Sequence, residues 1–163
     1  MVISRITSGL GNQLFQYACG RAVSLRHRVP LKLDLSNFRE FQNRRYGLDA
    51  FRIEATEATP GEVQSVLKTD TFWHRLTTPR ARRRVLRERG LAFDETLLCA
   101  GPDVYLSGYW QSLKYFADVE TQLRQELTWW LPPPTETLRF LQKMGETAAV
   151  AVHVRRGDYV SNP

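Results

Sequence analysis

The sequence predicts an α/β fold built on a parallel sheet. Three observations carry that reading. Val2 to Ile6 is a short apolar stretch that runs into a glycine-rich turn, Thr7-Ser8-Gly9-Leu10-Gly11-Asn12. A stretch follows in which Leu14, Ala18, Ala22 and Leu25 share one helical face, and then Leu31, Leu33 and Leu35 alternate as a second strand. Strand, helix and strand in that order make a β-α-β unit, the building block of parallel sheets. Near the other end, Ala148 to Val154 is an apolar run rich in β-branched residues, the pattern of a strand buried on both faces.

The elements follow in order. Gly9 and Gly11 allow the chain to turn tightly after the first strand, and the free amides of the next helical turn then point above the strand end. Asn12 reads as the N-cap of that helix. Asn12 and Gln13 also sit where a ligand would lie, so capping or solvation and ligand binding both remain open for them. Gly9-x-Gly11 with Asp34 on the next strand resembles a dinucleotide site, but Leu14 stands where a third glycine belongs. Gly61 to Thr69 reads as a short helix and Asp103 to Tyr109 as a further strand. Ser112 reads as the cap of a helix presenting Phe116, Val119, Leu123 and Leu127, with Glu120 and Arg124 paired one turn apart. Pro132, Pro133 and Pro134 stop that helix and form a stiff connector. The expected domains are therefore 1–134 and 135–163, the second opening with a helix from Thr135 to Met144.

Composition limits the partners. The 163 residues carry a formal charge of +6, from 23 Lys and Arg against 17 Asp and Glu. Such a balance favours acidic partners such as phosphates, nucleic acid or an anionic membrane. Two cysteines, Cys19 and Cys99, are too few for a disulfide framework and fit a reducing compartment. The N-terminus lacks the apolar run of a signal peptide, and no stretch reaches the roughly 20 apolar residues of a membrane span. A cytoplasmic protein is expected. Arg75, Arg80, Arg82, Arg83, Arg84, Arg87 and Arg89 form a basic row. A solvated helix face, a peripheral contact with an anionic membrane, and a polyanion-binding surface all fit it. Nucleic acid is not expected as a partner, because no aromatic residues interleave with these arginines for base stacking.

The apolar run near the C-terminus ends in His153, Arg155, Arg156, Gly157, Asp158 and Tyr159. Ligands of open α/β sheets bind beyond the carboxyl ends of strands. Adjacent arginines before a glycine turn make an anion cradle there, the structural alternative being a surface turn with solvated charges.

The two ends of the chain resemble one family. Gly9-Leu-Gly-Asn-Gln-Leu-Phe-Gln-Tyr-Ala18 closely resembles the N-terminal motif of the α-1,2-fucosyltransferases, and His153-Val-Arg-Arg-Gly-Asp-Tyr159 is similar to that family's donor-binding motif. Leu33-Asp-Leu35, Tyr46-Gly-Leu48 with Phe51, Leu106-Ser-Gly-Tyr-Trp-Gln-Ser112 and Lys114-Tyr-Phe116 match between them, in order. Ser8 stands where many relatives have glycine, and Trp110 where many have phenylalanine. The resemblance implies a GT-B architecture of two Rossmann-like domains. This chain would supply the first, acceptor-side domain and the opening strand of the second, GDP-fucose-binding one. It would be the N-terminal part of the enzyme, inactive alone.

The implied reaction is inverting transfer of L-fucose from GDP-fucose to the 2-hydroxyl of a β-galactoside. The sequence contains no D-x-D pair to hold a diphosphate through a divalent ion, so no metal cofactor is expected. Fixed cations must then neutralise the leaving diphosphate. Because strands alternate faces, Arg156 is favoured as the diphosphate contact, with Arg155 supporting it. His153 would bond the nucleotide or brace the turn, and Gly9, Gly11, Asn12 and Gln13 face the same cleft. Asp158 is the candidate catalytic base, or it orients the arginines through an ion pair. A dinucleotide-binding module and a basic polyanion-binding protein are the alternative readings.

Overall fold

The computed structural model describes residues 1–40, 44–90, 92–152 and 154. It contains a five-stranded, all-parallel sheet. The strands are β1 (Val2–Arg5), β2 (Leu31–Asp34), β3 (Thr56–Glu57), β4 (Val85–Arg87) and β5 (Val104–Ser107), in the order β3-β2-β1-β5-β4. The expected first β-α-β unit is present, with α1 (Leu10–His27) joining β1 to β2. Arg28 ends α1 in the left-handed conformation, its N–H bonded to the Ser24 and Leu25 carbonyls. Helix and strand approach closely at Gly20, where a Cβ would lie 2.9 Å from the Ser4 Cβ.

Alternation along the strands divides the core into two layers. Val2, Leu31, Leu33, Leu86, Val104 and Leu106 pack on the α1 side. Ile3, Val85 and Tyr105 pack on the opposite side with Val66 of α3 (Pro60–Leu67). The start of α3 is set by a capping box, Thr59 with Glu62, and by proline in its first turn. Two short helices, α2 (Ser36–Glu40) and α4 (Phe72–Thr77), lie in the connections. Among the described residues no helix is long and apolar enough to cross a membrane.

Two expectations fail in this part of the chain. Ser112 caps no helix, because residues 113–119 form two short 3-10 turns and α5 begins only at Glu120, running to Glu126. Phe116, with φ −142 and ψ 18, interrupts helical geometry between the two turns. The basic row is not a helix face either, since it runs through the end of α4, a 3-10 turn at Arg80–Arg82 and β4. Its charges are met by acids outside the row: Arg75 and Arg87 by Asp70, Arg80 by Asp94, and Arg84 by Asp103. Burial pushes the Asp70 carboxyl up, but the hydrogen bonds from Arg75 and Arg87 outweigh it and hold the group below its usual range. Within the row only Arg82 and Arg89 carry neither a side-chain hydrogen bond nor an ion pair among the described residues.

The chain divides into two compact units, Met1–Trp130 and Leu131–Pro163. In the second, α6 (Thr135–Gly145) follows Pro134. The strand expected over Ala148 to Val154 is absent among its described residues, and Val150, Val152 and Val154 are exposed. A strand exists only against a hydrogen-bonded neighbour, and none pairs with this run among the described residues.

Candidate functional site

Parallel strands deliver their carboxyl ends to one edge of the sheet. At that edge, beyond the neighbouring strands β1, β5 and β4, lies a cavity of about 400 Å³ lined by Arg5, Thr7, Glu88, Ser107, Gly108 and Tyr109. Glu88 ties two of these strand ends together. Its N–H donates to the Ser107 carbonyl at 2.9 Å. Its carboxylate accepts from the backbone N–H groups of Tyr109 at 2.7 Å and Trp110 at 3.0 Å. Gly108 is required at this crossing, because a Cβ there would lie 2.4 Å from the Glu88 Cβ. Trp110 is fully buried at φ 55 and stands edge-on to Tyr115, at 5.7 Å between ring centroids. Its indole N–H has no partner among the described residues. A bulky residue stays in left-handed geometry only where the surrounding structure over-determines it, and such residues cluster at functional sites.

The glycine-rich loop borders the cavity through Thr7. Ser8 takes the left-handed conformation, φ 69, and α1 begins at Leu10 with Gly9 in the cap position and no side-chain cap. Asn12 is therefore inside the helix and does not cap it, since a cap residue must precede the first helical turn. Its side chain donates to the Ser8 hydroxyl at 2.9 Å and accepts from Gln111 Nε2 at 2.6 Å, joining the loop after β1 to the loop after β5. Gly11 is exposed, and both Gly9 and Gly11 have open space where a Cβ would stand.

The rest of this motif turns inward. Gln13 is buried; its amide donates to the carbonyls of Ser8 and Arg45, and its oxygen accepts from Gly47 N–H, each at 2.9 Å. Gln16 accepts from Thr7 N–H at 2.9 Å, while its Nε2 is buried without a partner among the described residues. The Tyr17 hydroxyl donates to Glu126, which also accepts from Arg21 at 2.7 Å. Burial pushes the Glu126 carboxyl up; hydrogen bonds from Arg21, Tyr17 and Gln122 more than offset this, so the group ends below its usual range. Burial, reinforced by the bond to Glu126, drives the Tyr17 phenol strongly up.

Asp34 is also committed to the fold. It is buried, and its two oxygens accept from Ser36 N–H at 3.0 Å and from the Tyr105 hydroxyl at 2.6 Å. The acid that a dinucleotide site would offer to a ribose is thus occupied. His27 bonds the Ala100 carbonyl at 2.6 Å and serves the scaffold. The predicted donor-side residues His153, Arg155, Arg156 and Asp158 lie outside the described residues. Among the described residues, no three His, Cys, Asp or Glu side chains gather as metal ligands.

Sequence reasoning missed Arg5, Thr7, Glu88 and Tyr109 as neighbours. Arg5 and Thr7 flank the end of the first strand, and Ser107 to Tyr109 fall inside a quoted motif, so those signals were present. Glu88 had none, because it sits within the basic row beyond a strand of only three residues.

Residues 83–163 match the family described as glycosyl transferase family 11. The chain is 29% identical, over 170 aligned positions and 99% of its own length, to an alpha-1,2-colitosyltransferase of Escherichia coli. It spans 56% of that relative's length. No solved structure matches the chain.

Proposed function

We propose that the chain is the N-terminal part of a GDP-sugar-dependent glycosyltransferase, a reading supported by the match of residues 83–163 to glycosyl transferase family 11 and by the similarity to the colitosyltransferase. In this reading it transfers L-fucose with inversion from GDP-fucose to the 2-hydroxyl of a β-galactoside. The observation that carries the proposal is the ordered motif series, which runs from Gly9 through Leu106–Ser112 to Tyr159 and overlaps the family match over its second half. The relative's name specifies an α-1,2 linkage with colitose, so colitose is the alternative donor sugar.

The first unit supplies the acceptor side of a GT-B cleft, and its parallel sheet supports that role by opening a polar cavity at the carboxyl edge. Arg156, helped by Arg155 and His153, neutralises the leaving diphosphate, so that no divalent ion is required. Attack by the acceptor hydroxyl comes from the face opposite the leaving nucleotide, through an oxocarbenium-like state. Asp158 orients the arginines or receives the hydroxyl proton.

The test compares this chain with a C-terminally extended form, using GDP-fucose and a β-galactoside. The extended form is expected to yield a fucosylated product with or without a chelator. Arg156→Ala should lower its kcat by on the order of 10²-fold, as loss of one transition-state charge contact does. Failure of both forms to bind GDP in calorimetry would overturn the assignment. Activity lost to chelator and restored by manganese would overturn the metal-free step.

A further inference from the structure

We propose that the cavity at the carboxyl ends of β1, β5 and β4 is a subsite for one neutral sugar ring, recognised by Arg5, Glu88 and Tyr109. The inference rests on the glycosyltransferase reading only for the role of that sugar, which would be the acceptor. The recognition itself follows from the lining.

The charges come first. Arg5 and Glu88 bring one positive and one negative group to the same cavity. A phosphate or diphosphate entering it would gain the guanidinium but meet the carboxylate, a like-charge contact in a partly desolvated place. A neutral polyol gains from both, because each hydroxyl donates one hydrogen bond and accepts others. The nucleotide is thus the wrong occupant and a sugar the right one.

The lining groups are also available. Arg5 is half-buried and makes no side-chain hydrogen bond or ion pair among the described residues. The hydroxyls of Thr7 and Ser107 likewise have no partner there. Each Glu88 oxygen accepts a single amide bond, leaving an acceptor direction on each. Tyr109 is 40% exposed and offers an aromatic surface for the C–H face of a pyranose. The volume of about 400 Å³ falls within the roughly 300–1,000 Å³ of small-ligand clefts.

Finally, the groups are held in place before a ligand arrives. The Glu88 carboxylate is fixed by two amides, the backbone crossing at Gly108 leaves no space for a Cβ, and Trp110 anchors the turn from the core. Rigid placement of this kind lowers the ordering cost of binding.

The test is saturation-transfer NMR of methyl β-D-galactopyranoside with the 163-residue chain. Saturable binding is expected, with the dissociation constant raised at least tenfold in Tyr109→Ala and in Thr7→Val. Neither substitution removes a bond that the fold uses, so both variants should keep the parent melting temperature. Glu88→Gln is the sharper variant, read only if its melting curve is also unchanged. Added GDP should not displace the sugar. The proposal is overturned if no sugar binds, if Tyr109→Ala and Thr7→Val bind like the parent, or if GDP competes. Tyr109-dependent sugar binding without fucosyl transfer by the extended form leaves the subsite standing and removes the fucosyltransferase reading. Transfer whose KM for galactoside is unchanged in Tyr109→Ala does the reverse.

Discussion

The Gln13–Arg21 part of α1 and the Glu88–Gln111 part of the sheet edge use polar groups in opposite ways. In the first, Gln13, Tyr17 and Arg21 are buried and bonded to the chain itself. In the second, the polar groups of Arg5, Thr7 and Ser107 have no partner among the described residues and surround a half-buried carboxylate fixed by two amides. Each region overlaps a recognisable sequence motif, Gly9–Ala18 in the first and Leu106–Ser112 in the second, yet only the second has chemistry left over for a ligand. A motif rich in amides and a phenol is therefore scaffold in this fold, because each buried polar group must find its partner within the chain.

The largest test of that contrast is Glu126→Ala. It removes the acceptor shared by Tyr17, Arg21 and Gln122, leaving Arg21 with Glu54 as its remaining partner, and Glu54 is mostly exposed. Breaking one side of a buried ion pair costs about 3–5 kcal/mol. Urea denaturation of this chain should show that loss while sugar binding at the cavity, measured below the transition, is retained. The acid limb gives a second readout. The folded Glu126 carboxyl is depressed, so its contribution is complete above the unfolded value and is lost as pH falls through the lower folded one. Stability of the parent should be level from neutrality to about pH 5 and fall below about pH 4. Asp70, Asp94 and Asp118 shift in the same direction and share that slope, so Glu126→Ala should flatten it in part. An unchanged acid slope would remove Glu126 from the scaffold.

How much of this was legible follows from the range of the interactions. The β1-α1-β2 unit was readable because its apolar spacing is local and its turn glycines are diagnostic. The short strand β4 was not, since Val85 and Leu86 are two apolar residues among arginines. The partners that neutralise those arginines, Asp94 and Asp103, arrive only with the tertiary fold. The same distance hid Glu88, whose bonds reach 21 and 22 residues along the chain. Conversely, the run from Ala148 carried every local mark of a buried strand, but pairing is not a local property, and its described valines are exposed. Asn12 was misread as a cap by a few residues, an error in the helix boundary that reassigns its side chain from the backbone to Ser8 and Gln111.

An intermediate effect is expected for Gln13→Ala. Three backbone groups, the Ser8 and Arg45 carbonyls and the Gly47 N–H, lose their partner. An unsatisfied buried group costs about 1–3 kcal/mol, so a fall of that order in unfolding free energy should appear. Tyr109→Ala, whose ring is exposed, should stay within about 0.5 kcal/mol of the parent. If the two variants exchanged places, with Tyr109→Ala costing stability and Gln13→Ala costing sugar binding, the division between scaffold and site would be reversed.

The smallest effect separates the two regions where they touch, at Ser8. Its φ of 69 places a Cβ-bearing residue where glycine is favoured, a strain of roughly 1–2 kcal/mol in the left-handed region. Ser8→Gly relieves that strain but loses the hydroxyl that accepts from Asn12, a part-buried bond contributing about 0.5–1.5 kcal/mol. It also loosens the unfolded chain, which offsets a further about 0.4–1 kcal/mol. The terms nearly cancel, so the melting temperature should move by no more than a few degrees, the scale of about 1 kcal/mol in a domain of this size. A larger fall would show that the Ser8–Asn12–Gln111 chain holds the loop after β1 to the loop after β5, and the cavity rim would then count as scaffold as well.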